Sequence, residues 1–395
     1  MGFKPTYGSI SRYGVVSYAS SLDTVGFVTG SVECARLSWE CLMNRGGDDA
    51  KIEEVQDDEP KNDYDRSCFD ATKSRDSTAR VYHDTRFGCV STNIGSRNED
   101  DEDTKKPLTN LRIGIPNAFS LHETPPLISN AWSDAANTLQ NVGGATLIAI
   151  PESVLSSEWI KLSCAAYYVL ACAEASSNLS RYDGVRFGID IDMDKFTNLD
   201  NAQGYEEYHP LYGMTALEEK IAITRVLGFG DEVQRRLLAG TSVLSSDRFH
   251  THYEAAAIVR AKVSQSIERA FRSSSTAVIG KDDIDDNDNY KVDVILVPTA
   301  LSFPCTLNPK LGGDRIIEED MDATAAFGND VMTIPISLGG FPSISVPFSP
   351  YNTNNANSNP DQRAKDVVGL QIFGMRGSED VVLQVANILN TSSSS

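Results

Sequence analysis

The 395-residue chain contains no apolar run approaching the ~18 residues a helix needs to cross a bilayer, so no membrane span is expected. Basic residues are scarce. Thirty-five Lys and Arg stand against 55 Asp and Glu, a net charge of −20, and the basic residues form no cluster. A surface of that sign repels phosphate backbones, which excludes direct nucleic-acid binding as a primary role. The seven cysteines (Cys34, Cys41, Cys68, Cys89, Cys164, Cys172 and Cys305) include no Cys-x-x-Cys pair. That pattern argues against zinc ribbons and dithiol redox centres. An odd, scattered set fits core thiols in a reducing compartment. Neither an apolar signal nor an Arg-rich presequence follows Met1, so no targeting segment is visible.

What remains is the composition of a globular protein, 41% hydrophobic and 23% charged. A Gly- and Ser-rich opening gives way to a helical pattern over 31–43, with Val32, Ala35, Leu42 and Met43 apolar. Residues 46–106 carry 10 basic and 17 acidic side chains and few aliphatics. Such a stretch cannot bury itself and reads as a disordered acidic insertion. Leu111–Pro116 predicts a strand, 131–142 a helix ended by Gly143-Gly144, and 145–150 a second strand, together a right-handed βαβ unit. Helical periodicity returns at 216–226, 231–239 and 250–271. A low-complexity island at 281–289 precedes an apolar run, Val292–Val297, that reads as a central strand. Ile344–Pro347 and Val368–Phe373 predict later strands, Asn352–Asp361 a polar hairpin loop, and Ser378–Leu389 a closing helix. The alternation indicates one α/β domain without internal repeats.

Four runs carry a resemblance. The first is Gly2-Phe3-Lys4-Pro5-Thr6-Tyr7-Gly8. The second is Ala173-Glu174-Ala175-Ser176-Ser177-Asn178-Leu179-Ser180-Arg181-Tyr182-Asp183-Gly184-Val185-Arg186-Phe187-Gly188. The third is Gly228-Phe229-Gly230-Asp231-Glu232-Val233-Gln234-Arg235-Arg236, and the fourth is Asn329-Asp330-Val331-Met332-Thr333-Ile334-Pro335, leading into Gly340-Phe341-Pro342. In this order they resemble the amidase-signature family, and within it the A subunits of glutamyl-tRNA(Gln) amidotransferases. The acidic insertion, residues 189–212 and the Asn-rich loop depart from the resemblance.

The resemblance implies an α/β fold. The chain would be part of the amidase-signature fold, a mixed, many-stranded sheet covered by helices on both faces, in one domain over 1–395. It also implies glutamine hydrolysis, the ammonia passing to the B subunit for amidation of Glu-tRNA(Gln). The partners implied are the B and C subunits, with tRNA held through the former. ATP and Mg²⁺ are used by the B subunit, and this chain binds no cofactor or metal of its own. Three residues are implied to hold glutamine: Tyr167, Arg236 and Asp330. Chemistry agrees, because a free amino acid needs one cation and one anion at fixed separation, and Arg forks a carboxylate bidentately while Asp accepts from an ammonium. The plain alternatives are a helix-surface ion pair for Arg236, a helix cap for Asp330 and a core aromatic for Tyr167. The family's catalytic lysine and two serines precede the first run. The resemblance therefore implies no catalytic residue in this chain, with that region upstream of Met1.

Other patterns lead nowhere. Lys4 with Ser9 and Ser11 has the makings of a Ser-Lys dyad, but the resemblance puts Lys4 after the nucleophile. Asp283-x-Asp285-x-Asn287 lacks the glycine and terminal glutamate of a calcium loop. His250-x-His252 lacks a third ligand, and Gly228-x-Gly230 lacks a third glycine. Glu218-Glu219 reads as solvated charge. Ser-, Asn- and Asp-rich insertions suggest a nuclear-encoded organellar protein, mitochondrial in preference to plastid. Rival readings are a stand-alone amidase, which would not need both Arg236 and Asp330, and a non-catalytic remnant retained for assembly of the complex.

The composition of 46–106 makes a direct prediction. Its aliphatics cannot offset ~1–2 kcal/mol of backbone entropy per ordered residue. Limited proteolysis is expected to cut there before it cuts the helices of 213–275. First cleavage within those helices would refute the insertion reading.

Overall fold

The computed structural model describes residues 1–43, 106–190, 213–272, 288–303, 328–349 and 367–392. The acidic stretch up to 105, residues 281–287 of the low-complexity island and the Asn352–Asp361 loop lie outside the described residues. The chain divides into two compact units. The first comprises Met1–Tyr13, Thr24–Cys164 and Val259–Ser395, the second Gly14–Asp23 and Ala165–Ile258.

In chain order the elements are β1 (Gly2–Lys4), β2 (Phe27–Val28), α1 (Val32–Met43), β3 (Arg112–Pro116), α2 (Pro126–Asn141), β4 (Thr146–Ile150) and α3 (Ser157–Asn178). Then come α4 (Ala216–Gly228), α5 (Asp231–Val243), α6 (Glu254–Ala270), β5 (Val294–Pro298), α7 (Ile334–Gly339), β6 (Ser343–Phe348), β7 (Val368–Gly374) and α8 (Glu379–Ser392). The unit boundaries fall inside α3, after Cys164, and inside α6, after Ile258.

Among the described residues all the strands belong to the first unit, in one seven-stranded sheet of order β2-β1-β6-β7-β5-β3-β4. Strands β3, β4 and β5 run parallel, and the remaining pairings are antiparallel. The expected βαβ unit is β3-α2-β4, paired in register from Arg112↔Thr146 to Pro116↔Ile150. Its helix starts at Pro126, earlier than the periodicity suggested. Proline suits a first helical position because its missing N–H has no intrahelical acceptor there.

Every residue of β5 is buried, as a continuous apolar run in a sheet covered on both faces requires. The same holds on β7, where neighbours Ile372 and Phe373 point to opposite faces and both are fully buried. Helices α2 and α8 pack on the sheet, and Phe271, just past α6, meets Phe373 edge to face at 6.2 Å. Trp132 of α2 donates its indole N–H to the Leu296 carbonyl at 3.0 Å. Leu296 lies just past the last β3–β5 pair, Gly114↔Ile295, so the indole serves an acceptor on β5 beyond that pairing.

Helix α3 and strands β1 and β2 were not expected. The helix carries apolar or small residues nearly all round (Cys164-Ala165-Ala166-Tyr167-Tyr168-Val169-Leu170-Ala171-Cys172), which blurs its period. The two strands span three and two residues, too short to show alternation.

The amino-terminal strand is fastened by polar contacts. Lys4 Nζ donates to the carbonyls of Phe341 and Pro5, the latter at 3.3 Å. The Thr6 N–H donates to Glu379 Oε1 at 2.9 Å, and the Gly377 N–H to Thr6 Oγ1 at 2.9 Å. Burial pushes the Lys4 ammonium down to about 8, opposed by the Glu379 charge and helped by Arg376. Burial pushes Glu379 up, against the hydrogen bonds from Thr6.

Lys4 therefore links stability to pH. Below about pH 8 folded and unfolded chains both carry the proton, so the cost of burying it is constant. Between about 8 and 10.5 only the unfolded chain keeps it, so stability rises with pH. Urea titrations of the wild type and Lys4→Met are expected to show a stability difference that moves in favour of the wild type by up to ~3 kcal/mol across that window. A pH-independent difference would refute the burial of this ammonium.

Candidate functional site

Within the second unit, α3 and α5 approach closely along one stripe. An added Cβ on Gly240 would lie 2.0 Å from the Cys172 carbonyl oxygen and 2.8 Å from Ser176 Cβ. Ser176 Oγ and Thr241 Oγ1 are hydrogen-bonded at 3.0 Å. One turn earlier on each helix, the Arg236 guanidinium lies over the Tyr168 ring, 5.6 Å from its centroid. Residues 168, 172 and 176 are spaced by four, as are 236 and 240, so both stripes follow helical geometry.

Arg236 is held on several sides. Its Nε donates to Glu232 Oε1 at 2.9 Å, one turn back on α5. Arg235 takes the other carboxylate oxygen, with Nε and Nη2 at 3.1 and 2.8 Å from Oε2. The two arginines differ in exposure: the Arg236 side chain is 27% exposed and Arg235 72%. Burial works against the Arg236 charge, but hydrogen bonds to Glu232 and the Tyr18 hydroxyl outweigh it and lift its pKa above the usual arginine value. The arginines hold the Glu232 carboxyl below the usual carboxylate range. Burial raises the Cys172 thiol, with Arg236 opposing and Glu232 adding.

Tyr18 arrives from the segment Gly14–Asp23, which α3 clamps. Glu174 accepts from the Ser21 N–H at 2.8 Å and from its hydroxyl. Asn178, one turn on, donates to the Tyr18 carbonyl and to Ser20 Oγ, both at 3.0 Å. Asp23 accepts from the N–H groups of Tyr18 and Ala19 at 3.0 and 3.1 Å. The Glu-Ala-Ser-Ser-Asn run of the second motif is thus a loop anchor. The rest of that motif is a tight turn. Asp183 Oδ1 accepts from the N–H groups of Val185 and Arg186, both at 2.9 Å, and Gly184 adopts φ 70° where a Cβ would strike Thr224 Oγ1.

Tyr167 is half-buried, and its ring meets Tyr168 edge to face at 5.4 Å. The structure therefore groups Tyr167, Tyr168, Arg236 and Glu232. The sequence pointed to Tyr167 and Arg236 alone. Glu232 was legible as an i,i+4 partner, whereas nothing local marks Tyr18.

Asp330 belongs to the first unit, beside the carboxy-terminal flank of β5. The preceding Asn329 pins that flank, accepting from the Leu301 N–H at 2.9 Å and donating to Ser302 Oγ at 2.7 Å. Asp330 is half-buried. Burial first, and then the Asp330 charge, push the Cys164 thiol up to about 11. The cap position of α7 is Thr333, so Asp330 is not its helix cap.

The discarded patterns find ordinary uses. Ser9 Oγ donates to the Thr6 carbonyl at 2.7 Å while Lys4 Nζ serves carbonyls, so no dyad forms. His250 pairs with Glu254 at 3.0 Å, and His252 Nδ1 lies 2.8 Å from Thr251 Oγ1. Glu218, read as a solvated charge, completes a capping box with Thr215 at the start of α4. Among the described residues no group of His, Cys, Asp and Glu could hold a metal, and no helix is long and apolar enough to cross a membrane.

The sequence model of the amidase family matches residues 1–94 and 78–383. The mitochondrial glutamyl-tRNA(Gln) amidotransferase A subunit of Ajellomyces capsulatus is 34% identical over 409 residues, covering 98% of this chain and 66% of that protein. The same-named protein of Neurospora crassa is 34% identical over 403 residues, covering 98% and 65%. The chain thus spans slightly less than two thirds of these relatives. The crystal structure of the glutamyl-tRNA(Gln) amidotransferase A subunit from Thermotoga maritima matches 99% of this chain and 57% of its own, with TM-score 0.51 and 23% identity, a likeness of fold.

The α3–α5 approach is testable through Gly240. Gly→Ala inside a helix ordinarily stabilises by about 0.5–1 kcal/mol. Here the new methyl would meet the backbone carbonyl of Cys172, which cannot rotate away, and overpacking costs about 1–3 kcal/mol or more. Gly240→Ala is expected to lower stability in urea denaturation. A stabilised variant would contradict the contact.

Proposed function

The chain belongs to the amidase family, and from that membership we propose that it acts as the A subunit of a mitochondrial glutamyl-tRNA(Gln) amidotransferase, the component that takes glutamine. The observation that carries the reading is the half-buried Arg236, fixed by Glu232 and backed by an aromatic face. A guanidinium held in this way has further N–H groups to offer a carboxylate in the fork geometry that suits it. Tyr167 adjoins the ring that backs it. In this reading Arg236 takes the α-carboxylate of glutamine and Asp330 its α-ammonium, so the two charges position an amide they do not themselves attack.

The B and C subunits are the proposed partners. ATP and Mg²⁺ act at the B subunit, which also holds the tRNA, and this chain requires no cofactor for its part. The net charge of −20 favours that division, since an acidic surface is a poor platform for RNA.

No side chain of residues 1–395 is assigned as nucleophile, and losing a nucleophile costs ~10⁶ in turnover. Residues 1–395 alone are expected to bind L-glutamine without releasing ammonia; release above a no-enzyme blank would overturn that assignment. By calorimetry Arg236→Met is expected to weaken glutamine binding roughly 10- to 150-fold, the equivalent of a charge-assisted hydrogen bond, and Asp330→Asn comparably. Glutamine affinity unchanged in both variants would defeat the proposal.

A further inference from the structure

We propose that one face of the sheet carries a subsite for a primary carboxamide, built from Gln371 and the hydroxyl pair of Ser345 and Thr299. The inference rests on the proposed function for its ligand, the side-chain amide of glutamine, the end of the molecule that neither Arg236 nor Asp330 is proposed to touch.

The two faces of β6 and β7 differ. Val346, Phe348, Val368, Leu370 and Ile372 point to one face and are buried. Ser345, Pro347, Gly369 and Gln371 point to the other, paired as Ser345↔Gln371 and Pro347↔Gly369. On this face Pro347 is exposed, and Ser345 and Gly369 are half-buried. At the β1 end of the row Gly2 lies opposite Ser345, and an added Cβ there would meet nothing within 4 Å. The second face therefore opens into a recess floored by polar and small residues, whereas the first is apolar and closed.

Gly369 lets two hydroxyls meet across β7. Thr299, just past β5, donates its N–H to the Gly369 carbonyl at 2.8 Å. Its Oγ1 lies 2.7 Å from Ser345 Oγ. An added Cβ on Gly369 would stand 3.2 Å from Thr299 Oγ1 and 3.6 Å from Ser345 Oγ, so the hydroxyl bridge passes over that residue. Gln371 follows two positions along the strand, on the same face. It is 4% exposed, and its Nε2 is buried without a hydrogen-bond partner. A buried donor left unpaired costs about 1–3 kcal/mol, and native structures keep few of them. A ligand that accepts from this N–H removes that cost.

The groups on offer define the ligand. Gln371 presents amide donors and an amide oxygen, and a hydroxyl pair that shares one hydrogen keeps one O–H and free lone pairs. The charge in the neighbouring row, Lys4 opposite Ser343, is engaged, because its ammonium donates to the carbonyls of Phe341 and Pro5. A carboxylate in the recess would shed its water with no free cation to meet it. A primary carboxamide fits: its oxygen accepts from Gln371 Nε2, and its NH₂ donates to the hydroxyl pair. The placement agrees with that of Asp330. Its neighbour Asn329 accepts from the N–H of Leu301, two residues past Thr299, so the subsite and the proposed ammonium contact border one flank of β5. The recess holds the amide and makes or breaks no bond.

The test compares two ligands that share both α-charges. Norvaline is glutamine with its carboxamide replaced by a methyl group. Calorimetry on residues 1–395 is expected to show Gln371→Met weakening L-glutamine roughly three- to tenfold, the loss of one hydrogen bond, with L-norvaline bound as by the wild type. Ser345→Ala is expected to act in the same direction. Urea denaturation gives a second readout. Methionine is close to glutamine in shape, and replacing a buried amide that has no internal partner is expected to hold the midpoint or raise it.

If Gln371→Met lowers the urea midpoint, or weakens both ligands equally, the amide serves the fold and the inference fails. If Gln371→Met and Ser345→Ala bind glutamine as the wild type does while Arg236→Met binds it more weakly, the inference fails and the proposed function stands. If the wild type binds no glutamine, or Arg236→Met and Asp330→Asn both bind it as well as the wild type, the proposed function falls and this inference with it.

Discussion

A carboxylate deprived of water decides how the first unit closes. Glu379, at the first turn of α8, is buried, and burial alone would drive it towards its neutral form. The Thr6 N–H offsets that tendency with a hydrogen bond, and the Thr6 hydroxyl receives one from Gly377 in turn. Lys4 and Arg376 bring positive charge to the same region. Arg376, its side chain 6% exposed, donates to the Gly339 carbonyl at 2.7 Å and to Ser264 Oγ at 2.6 Å, pairs with Glu268, and lies over the Phe341 ring. Such clusters are costly to break, because removing one member strands another in low dielectric, at about 3–5 kcal/mol. β1, α6, α7 and α8 all contribute groups to it, so this end of the sheet and the covering helices are set against one another by polar geometry as well as by apolar packing.

The second unit uses a different device. Where α3 meets α5, absence of a side chain at Gly240 permits backbone-to-backbone approach, and small residues line the stripe. Close approach at that turn fixes the register one turn away, where a long cation crosses an aromatic ring. Steric and electrostatic demands are separated along one helix pair: the tight end sets distance and the wide end holds charge.

Legibility from sequence followed the strength of local patterns. Strand β5 and the β3-α2-β4 unit could be read from apolar runs and glycine punctuation, and their pairing bears out the reading. Helix α3 could not, because a helix apolar on most sides has no stripe to detect. Strand β1 owes its state to β6 alongside, information that lies far off in the chain, and β2 owes its state to β1. In the candidate site, Arg236 stood out through family likeness, and Glu232 was implicit in helical spacing. The segment Gly14–Asp23 is held beside α3 only because Glu174 and Asn178 seize a loop of otherwise unremarkable composition. No window of sequence contains both ends of that arrangement.

The Thr6–Glu379 hydrogen bond spans 373 residues of chain. On a ribosome adding ~5–20 residues per second, roughly 20 to 75 seconds separate synthesis of donor and acceptor. For most of that interval β1 has no β6 to pair with, and a strand edge awaiting its neighbour is open to mispairing with other chains. Until β6 is complete, misassembly at that edge therefore competes with folding, a consequence of the order in which this fold's segments are made.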